Sequence, residues 1–207
     1  MIAKHSHVQE SLHAEVDAVL GNPEARKHMT EAEIFAKLQD DLFAQFPYAT
    51  AVVNETQRMH PIAPFVGMEA IHDTILDGYV IPKGTTIMGM SRVASMNHCP
   101  TPDPFQFKPE RWIECTVTQR RQQERLDWSF GGGSRVCPGR HLANLEIVSA
   151  VVLVLSLYNL KELVRAPSSS PVAECASFLF PTFPIVTQGI SFTSTINNVY
   201  VRYIPRA

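Results

Sequence analysis

Between residues 130 and 140 the sequence reads FGGGSRVCPGR, which gathers four of the chain's ten glycines and one of its four cysteines into one short segment. Pro138 follows Cys137, and proline is favoured at the first position of a helix. The order predicts a helix starting at about Pro138 with Cys137 near its N-cap, where free backbone N–H groups and the positive helix end favour a thiolate. The preceding glycines allow positive φ and let backbone amides turn inward. Such a segment presents a sulfur anion, which can serve as a nucleophile, a redox thiol or a metal ligand. A nucleophile usually needs a histidine base, and His141, one helical turn on, is the only local one. A redox thiol commonly has a second cysteine two or three residues away, and the sequence has none there. A flat, glycine-lined approach with Arg135 nearby suits better a large planar ligand bearing carboxylates, namely haem.

Phe130, Gly133, Arg135, Cys137 and Gly139 fall in the order Phe-x-x-Gly-x-Arg-x-Cys-x-Gly. The segment therefore resembles the signature of the cytochrome P450 haem-thiolate monooxygenases. With glycine at about 7% of residues and cysteine rarer, five such positions coincide by chance on the order of once in a million starts. The resemblance implies haem b as cofactor and Cys137 as its axial iron ligand, whose electron donation favours O–O cleavage. By the same resemblance Arg135 holds a haem propionate through charge-assisted hydrogen bonds. Phe130 shields the sulfur from solvent, and Gly139 leaves room for the porphyrin face. Without the motif, Arg135 reads as a solvent-facing loop residue and Phe130 as a core aromatic. Ala143 and Glu146 also fit the family pattern, though an ordinary core helix accommodates them equally.

Two further groups match in the same order. Glu55 and Arg58 in NETQRMHP are three apart on one helix face and resemble the family's Glu-x-x-Arg. Arg111 in KPERW resembles the arginine that completes a buried triad with them. An exposed pair at this spacing contributes only ~0.3–0.5 kcal/mol, so the three are assigned structural work, pinning the PERW loop and hence the cysteine segment to the helix. His98 and His60 read as a loop histidine and a helix-end residue.

Several elements must position these groups. Val8, Leu12, Val16, Val19 and Leu20 repeat at helical spacing up to Gly21 and Pro23. Thr30 and Glu33 form a capping box for a second helix expected through Ile34, Leu38 and Leu42. Residues 47–61 read as a third helix, with Pro47 in its first turn and Pro61 preventing continuation. Residues 78–90 carry two apolar runs around Pro82-Lys83-Gly84 and predict a β-hairpin. The proline-rich CPTPDPFQFKPERW predicts a stiff irregular loop, and ECTVTQRRQQERLD a solvated loop or surface turn. A buried apolar core helix is expected from about Pro138 to Leu160, and strands turning near Gly189 and Asn197-Asn198 at the C-terminus.

The composition is that of a soluble globular chain: 45% hydrophobic and 18% charged residues, with a net charge of −2 over 207 residues. This balance provides no global field for nucleic acid or an anionic membrane. The opening MIAKHSHVQE lacks the apolar run of a secretory signal, and the longest apolar run, Ile147 to Leu157, is shorter than the ~20 residues of a membrane span. Cys99, Cys115, Cys137 and Cys175 are widely spaced, which argues against structural zinc or a disulfide scaffold and for an intracellular, reducing setting.

The fold expected is mainly α with small β-sheets, the C-terminal portion of the cytochrome P450 fold, with residues 1–207 forming one partial domain. Family members are considerably longer. The N-terminal half, with the oxygen-side helix and its Ala-Gly-x-x-Thr pattern, has no counterpart here, so Met1 is expected to begin just after that helix. An exposed porphyrin face would need cover from another chain.

Two classes of function follow. In the first, the chain inherits monooxygenation of an apolar small molecule, with electrons passing from NADPH through a flavoprotein reductase. Docking of the reductase could use Arg120, Arg121 and Arg125, although Glu114, Glu124 and Asp127 interleave with them. In the second, it is a truncated, non-catalytic remnant, a weak haem binder or an interaction module. Haem-thiolate isomerase or dehydratase chemistry is a third. Family members are often anchored in the endoplasmic reticulum membrane, and this chain shows no anchor segment.

Overall fold

The computed structural model describes residues 1–38, 41–163 and 200–206. They form a mainly helical fold with small antiparallel sheets. Among the described residues eight α-helices run in order: α1 (Ser6–Leu20), α2 (Pro23–Arg26), α3 (Glu31–Lys37), α4 (Leu42–Gln45), α5 (Pro47–Met59), α6 (Ser91–Asn97), α7 (Val117–Leu126) and α8 (Arg140–Leu157). Six strands, β1 (Val66–Glu69), β2 (Thr74–Leu76), β3 (Tyr79–Ile81), β4 (Thr86–Gly89), β5 (Tyr158–Leu163) and β6 (Tyr200–Pro205), make three two-stranded sheets. The described residues group into two compact units: Met1–Thr50 with 145–163 and 200–206, and Ala51–Asn144. The boundaries fall inside α5 and α8.

In the first unit, α1 buries Val8, Leu12, Val16 and Leu20, a strict four-residue repeat that lines one face. Gly21, at φ +92°, ends it. Glu15 accepts hydrogen bonds from the Tyr48 and Ala49 amides at 2.6 and 2.9 Å, so a side chain on α1 satisfies orphan donors in the first turn of α5. Burial, the largest influence, raises the Glu15 carboxyl above its ordinary pKa, and these two amides draw it partly back. Asp17 pairs with both Arg26 and Arg206, at 2.8 and 2.6 Å, fastening α1 to α2 and to the residue after β6.

Four of the expected elements differ in the structure. The second helix does not run through Leu42. Its capping box is present, but α3 stops at Lys37 and α4 starts afresh with Asp41 accepting from the Ala44 amide at 3.1 Å. The hairpin around Pro82-Lys83-Gly84 does not form as a pairing of the flanking runs. Instead β2 pairs with β3 across Asp77-Gly78, while β1 pairs with β4 outside them. Asp77 and Gly78 both have positive φ, 49° and 82°, the geometry of a two-residue turn that matches strand twist. Within ECTVTQRRQQERLD, Val117–Leu126 form a helix, α7, opened by a full capping box between Thr116 and Gln119.

The fourth correction concerns the apolar helix, which starts at Arg140, ends at Leu157 and is not wholly buried. Val148, Val152, Leu155 and Ser156 face inward, whereas Leu142, Leu153 and Leu157 are exposed. It is the one helix among the described residues long and apolar enough to cross a membrane by length and composition. Residues from Tyr158 leave the helix and pair with β6. Cys175 and the turns expected near Gly189 and Asn197-Asn198 lie outside the described residues.

Candidate haem-thiolate site

Both groups of candidate residues lie in the unit formed by Ala51–Asn144. The first centres on Glu55, which α5 carries fully buried. Its carboxylate accepts five hydrogen bonds. Arg58 Nε donates to Oε2 and Nη2 to Oε1, both at 2.8 Å, a forked pair. Arg111 Nε donates to Oε1 at 2.9 Å, the Lys108 amide to Oε1 at 3.0 Å and Trp112 Nε1 to Oε2 at 3.0 Å. Arg58 and Arg111 are themselves 3% and 4% exposed, so none of the three charges is solvated and each depends on the others.

The two guanidinium groups also organise their surroundings. Arg58 Nη1 reaches the Ser95 carbonyl at 3.4 Å and Met96 Sδ at 3.2 Å, and the Ser95 hydroxyl donates to the Arg58 carbonyl at 2.9 Å, linking α5 to α6. Arg111 donates to Thr101 Oγ1 and to the carbonyls of Pro102, Asp103 and Gln106, the last three at 3.0, 2.8 and 3.2 Å. Within the loop the Gln106 amide already donates to the Asp103 carbonyl at 3.0 Å, and the arginine supplies further donors to that carbonyl and to those of Pro102 and Gln106. Helix α7 holds the other side of PERW: Arg120 donates to the Trp112 carbonyl, and Gln123 Nε2 to the Arg111 carbonyl at 3.1 Å.

Burial, the largest influence on the Glu55 carboxyl, pushes its pKa up. The hydrogen bonds and charge of Arg58, the Lys108 amide and the Arg111 charge together outweigh it and hold the group below its ordinary value. A depressed folded-state pKa contributes stability that is complete above the unfolded-state glutamate value, about 4.3, and is lost as pH falls through the folded value. Urea unfolding across an acid pH series should therefore show stability falling below that value. Glu55→Gln should be less stable at neutral pH and show a shallower acid slope.

The second group lies in the loop before α8. Phe130, Gly133, Arg135, Cys137 and Gly139 occur there in a tight reversal: the Cys137 amide donates to the Phe130 carbonyl at 2.9 Å, and the Val136 amide to the Gly133 carbonyl at 3.3 Å. Gly131 and Gly133 have φ of 74° and 62°, the left-handed region that glycine enters at little cost. At Gly132 close approach matters instead, since a Cβ there would come within 3.2 Å of the Trp128 ring. Cys137 lies three residues ahead of the first residue of α8, not at its N-cap, and its carbonyl accepts from the Arg140 amide.

Cys137 and Arg135 are exposed, and Phe130 is half-buried with the Arg140 guanidinium 5.9 Å from its ring centroid. A Cβ on Gly133 would meet nothing within 4 Å, and one on Gly139 would lie 3.8 Å from Cys137 Sγ. The sulfur is thus bordered by bare backbone on the side of Gly139, and Gly133 separately faces open space. A flat cofactor with acidic groups fits this chemistry: a soft sulfur donor, no side chain over it at Gly139, and an exposed arginine two residues away.

The structure thus brings Glu55, Arg58 and Arg111 into direct contact and keeps the five loop residues in one turn. Joining the two groups is Gln57, which the sequence reading passed over. Trp112 and Lys108 were also missed; a buried indole N–H needs an acceptor, but the burial of Trp112 is visible only in the structure. His98 lies just after α6, exposed, and His60 just after α5.

The family model described as Cytochrome P450 matches residues 1–186. Cytochrome P450 2E1 of Oryctolagus cuniculus is 32% identical over 173 residues, covering 79% of this chain and 31% of its own length. The cytochrome P450 monooxygenase COX2 of Coprinopsis cinerea is 34% identical over 160 residues, covering 77% and 28%. A crystal structure of a cytochrome P450, CYP102L1, superposes with a TM-score of 0.71 at 24% identity, over 99% of this chain and 40% of that one. The chain therefore spans about a third of the length of the curated relatives it matches. On the family match, the relatives and the shared fold, this chain belongs to the cytochrome P450 family.

Proposed function

We propose that the chain supplies the proximal, thiolate-bearing side of a haem monooxygenase that inserts one atom of O₂ into an apolar organic molecule. The observation that carries this reading is the exposed Cys137 sulfur bordered by glycine backbone, in a chain of this family. Cys137 would ligate the iron of haem b, Arg135 would hold a propionate, Phe130 would limit water at the sulfur, and Gly139 would admit the ring. When bound, haem supplies the activation of dioxygen. The residues of this chain would hold the sulfur in place and fix the loop. Residues 1–207 would then act as a single partial domain.

Electrons would come from NADPH through a flavoprotein reductase. Of the three arginines of α7, Arg120 is engaged with the Trp112 carbonyl, which leaves Arg121 and Arg125 as docking candidates. By the resemblance to the family, the segments Ala63 to Gly67 and Thr187 to Ile190 would line the substrate pocket; the second lies outside the described residues. An intracellular setting accords with the exposed thiol.

The test is a carbon monoxide difference spectrum of the reduced full chain after reconstitution with haem. A long-wavelength Soret band is the expected result. A folded chain that takes up no haem, or binds it without that band, would overturn the proposal and favour a non-catalytic interaction module.

A further inference from the structure

We infer that Gln57 is a positioning residue that fastens both flanks of the Cys137 loop to α5, an inference that rests on the reading of Cys137 as the iron ligand. Gln57 lies between Glu55 and Arg58, on the helix whose neighbouring residues carry the buried ion pairs. Its side-chain Nε2 donates to Asn144 Oδ1 at 2.8 Å. Asn144 stands in the second turn of α8, just past the loop. The Gln57 backbone carbonyl accepts from the Ser129 hydroxyl at 3.3 Å, just ahead of Phe130. The loop thus enters and leaves against one residue of the helix that carries the buried ion cluster.

The entry side has a second tie. Asp127 accepts both the Ser129 amide, at 3.0 Å, and the Ser129 hydroxyl, and its other oxygen stands 4.0 Å from Arg140 Nη2 at the start of α8. A hydroxyl has one proton, so Ser129 shares it between a nearby carboxylate and the more distant Gln57 carbonyl, and the carboxylate takes the larger share. The exit side depends more on Gln57, since its amide is the donor that reaches Asn144. Rigid support of this kind is what a ligand on a glycine-rich turn requires: the glycines allow the turn but do not hold it. Movement of the exit side shifts the sulfur relative to any bound ring.

Two substitutions separate the amide from mere bulk. Gln57→Leu keeps the volume and removes the donor. Gln57→Glu keeps an acceptor that the Asn144 amide can meet by turning its NH₂ inward. In the haem-free full chain, Gln57→Leu should raise amide hydrogen exchange across residues 138–145 about fivefold, the factor expected for one lost hydrogen bond. Residues 55–58 and 108–112 should keep wild-type protection, and Gln57→Glu should restore the 138–145 segment.

In the haem-loaded chain, the share of bound haem giving the long-wavelength carbonyl band should fall about fivefold in Gln57→Leu and recover in Gln57→Glu. Unchanged exchange in the leucine variant overturns the inference, as does equal damage by leucine and glutamate. Should the leucine variant fail to fold, Asn144→Ala reads the same link from its other end. If the wild-type chain itself lacks the band, the monooxygenase reading fails, and the exchange pattern still decides whether Gln57 holds the loop.

Discussion

Serine at position 137 is expected to reduce the long-wavelength Soret band of the reduced carbon monoxide complex at least tenfold while leaving helical content and unfolding midpoint unchanged. The substitution replaces one atom on an exposed side chain. The loop around it is held by main-chain bonds, from the Cys137 amide to the Phe130 carbonyl at 2.9 Å and from the Arg140 amide to the Cys137 carbonyl at 3.3 Å, and serine retains both. Chemistry at the sulfur changes far more, because sulfur is a soft, strongly donating iron ligand and a serine hydroxyl is not. Absorbance of the haem-loaded variant and circular dichroism of both chains provide the comparison. A serine variant with an unaltered band would remove Cys137 from the role of ligand.

The sequence made the site more legible than the fold around it. The order of glycines, Arg135 and Cys137 is local, so a turn that depends on positive φ could be read from residue types at Gly131 and Gly133. Glu55 and Arg58 were readable as a helix pair because their spacing is that of one helix face. The third partner, Arg111, came only from resemblance, since nothing local announces that a residue 53 positions after Arg58 will meet it. Trp112, Lys108 and Gln57 escaped for the same reason: an indole N–H, a main-chain amide and a lone glutamine gain meaning only once tertiary structure sets them beside an acceptor.

Secondary structure went astray where two signals competed. Pro82-Lys83-Gly84 looked like the centre of a hairpin, yet Asp77-Gly78 is the tighter turn, and Gly84 instead turns the chain so that β4 returns to β1, its amide donating to the Ala70 carbonyl at 2.7 Å. In α7 the mixed charges suggested a solvated loop, although Thr116 and Gln119 spell a capping box and glutamine, arginine and glutamate are good helix formers. Its buried Gln123 and its Arg120 then serve the PERW turn. The apolar run in α8 gave the right helix but overstated its burial, because apolar composition alone cannot say which face has a partner within these residues.

Arg58→Ala is expected to abolish haem incorporation and to cost roughly 3–5 kcal/mol of folding stability, the effect of leaving a buried charge without its partner. Glu55 would lose two of its five donors while remaining inaccessible to water. Against a total stability of about 5–15 kcal/mol for a typical domain, that loss removes a large share of it and loosens the segment that carries the site. The consequence extends beyond the pair, because the same carboxylate anchors Lys108, Arg111 and Trp112, and the same helix carries Gln57 with its contacts to both sides of the cysteine loop. Arg58→Lys should recover only part of the loss, since a single ammonium cannot form the forked pair to both carboxylate oxygens. Haem-to-protein ratio and urea unfolding of the two variants measure both effects. An alanine variant that loads haem normally would separate the buried ion cluster from the cysteine loop and leave it a purely local support for the PERW turn.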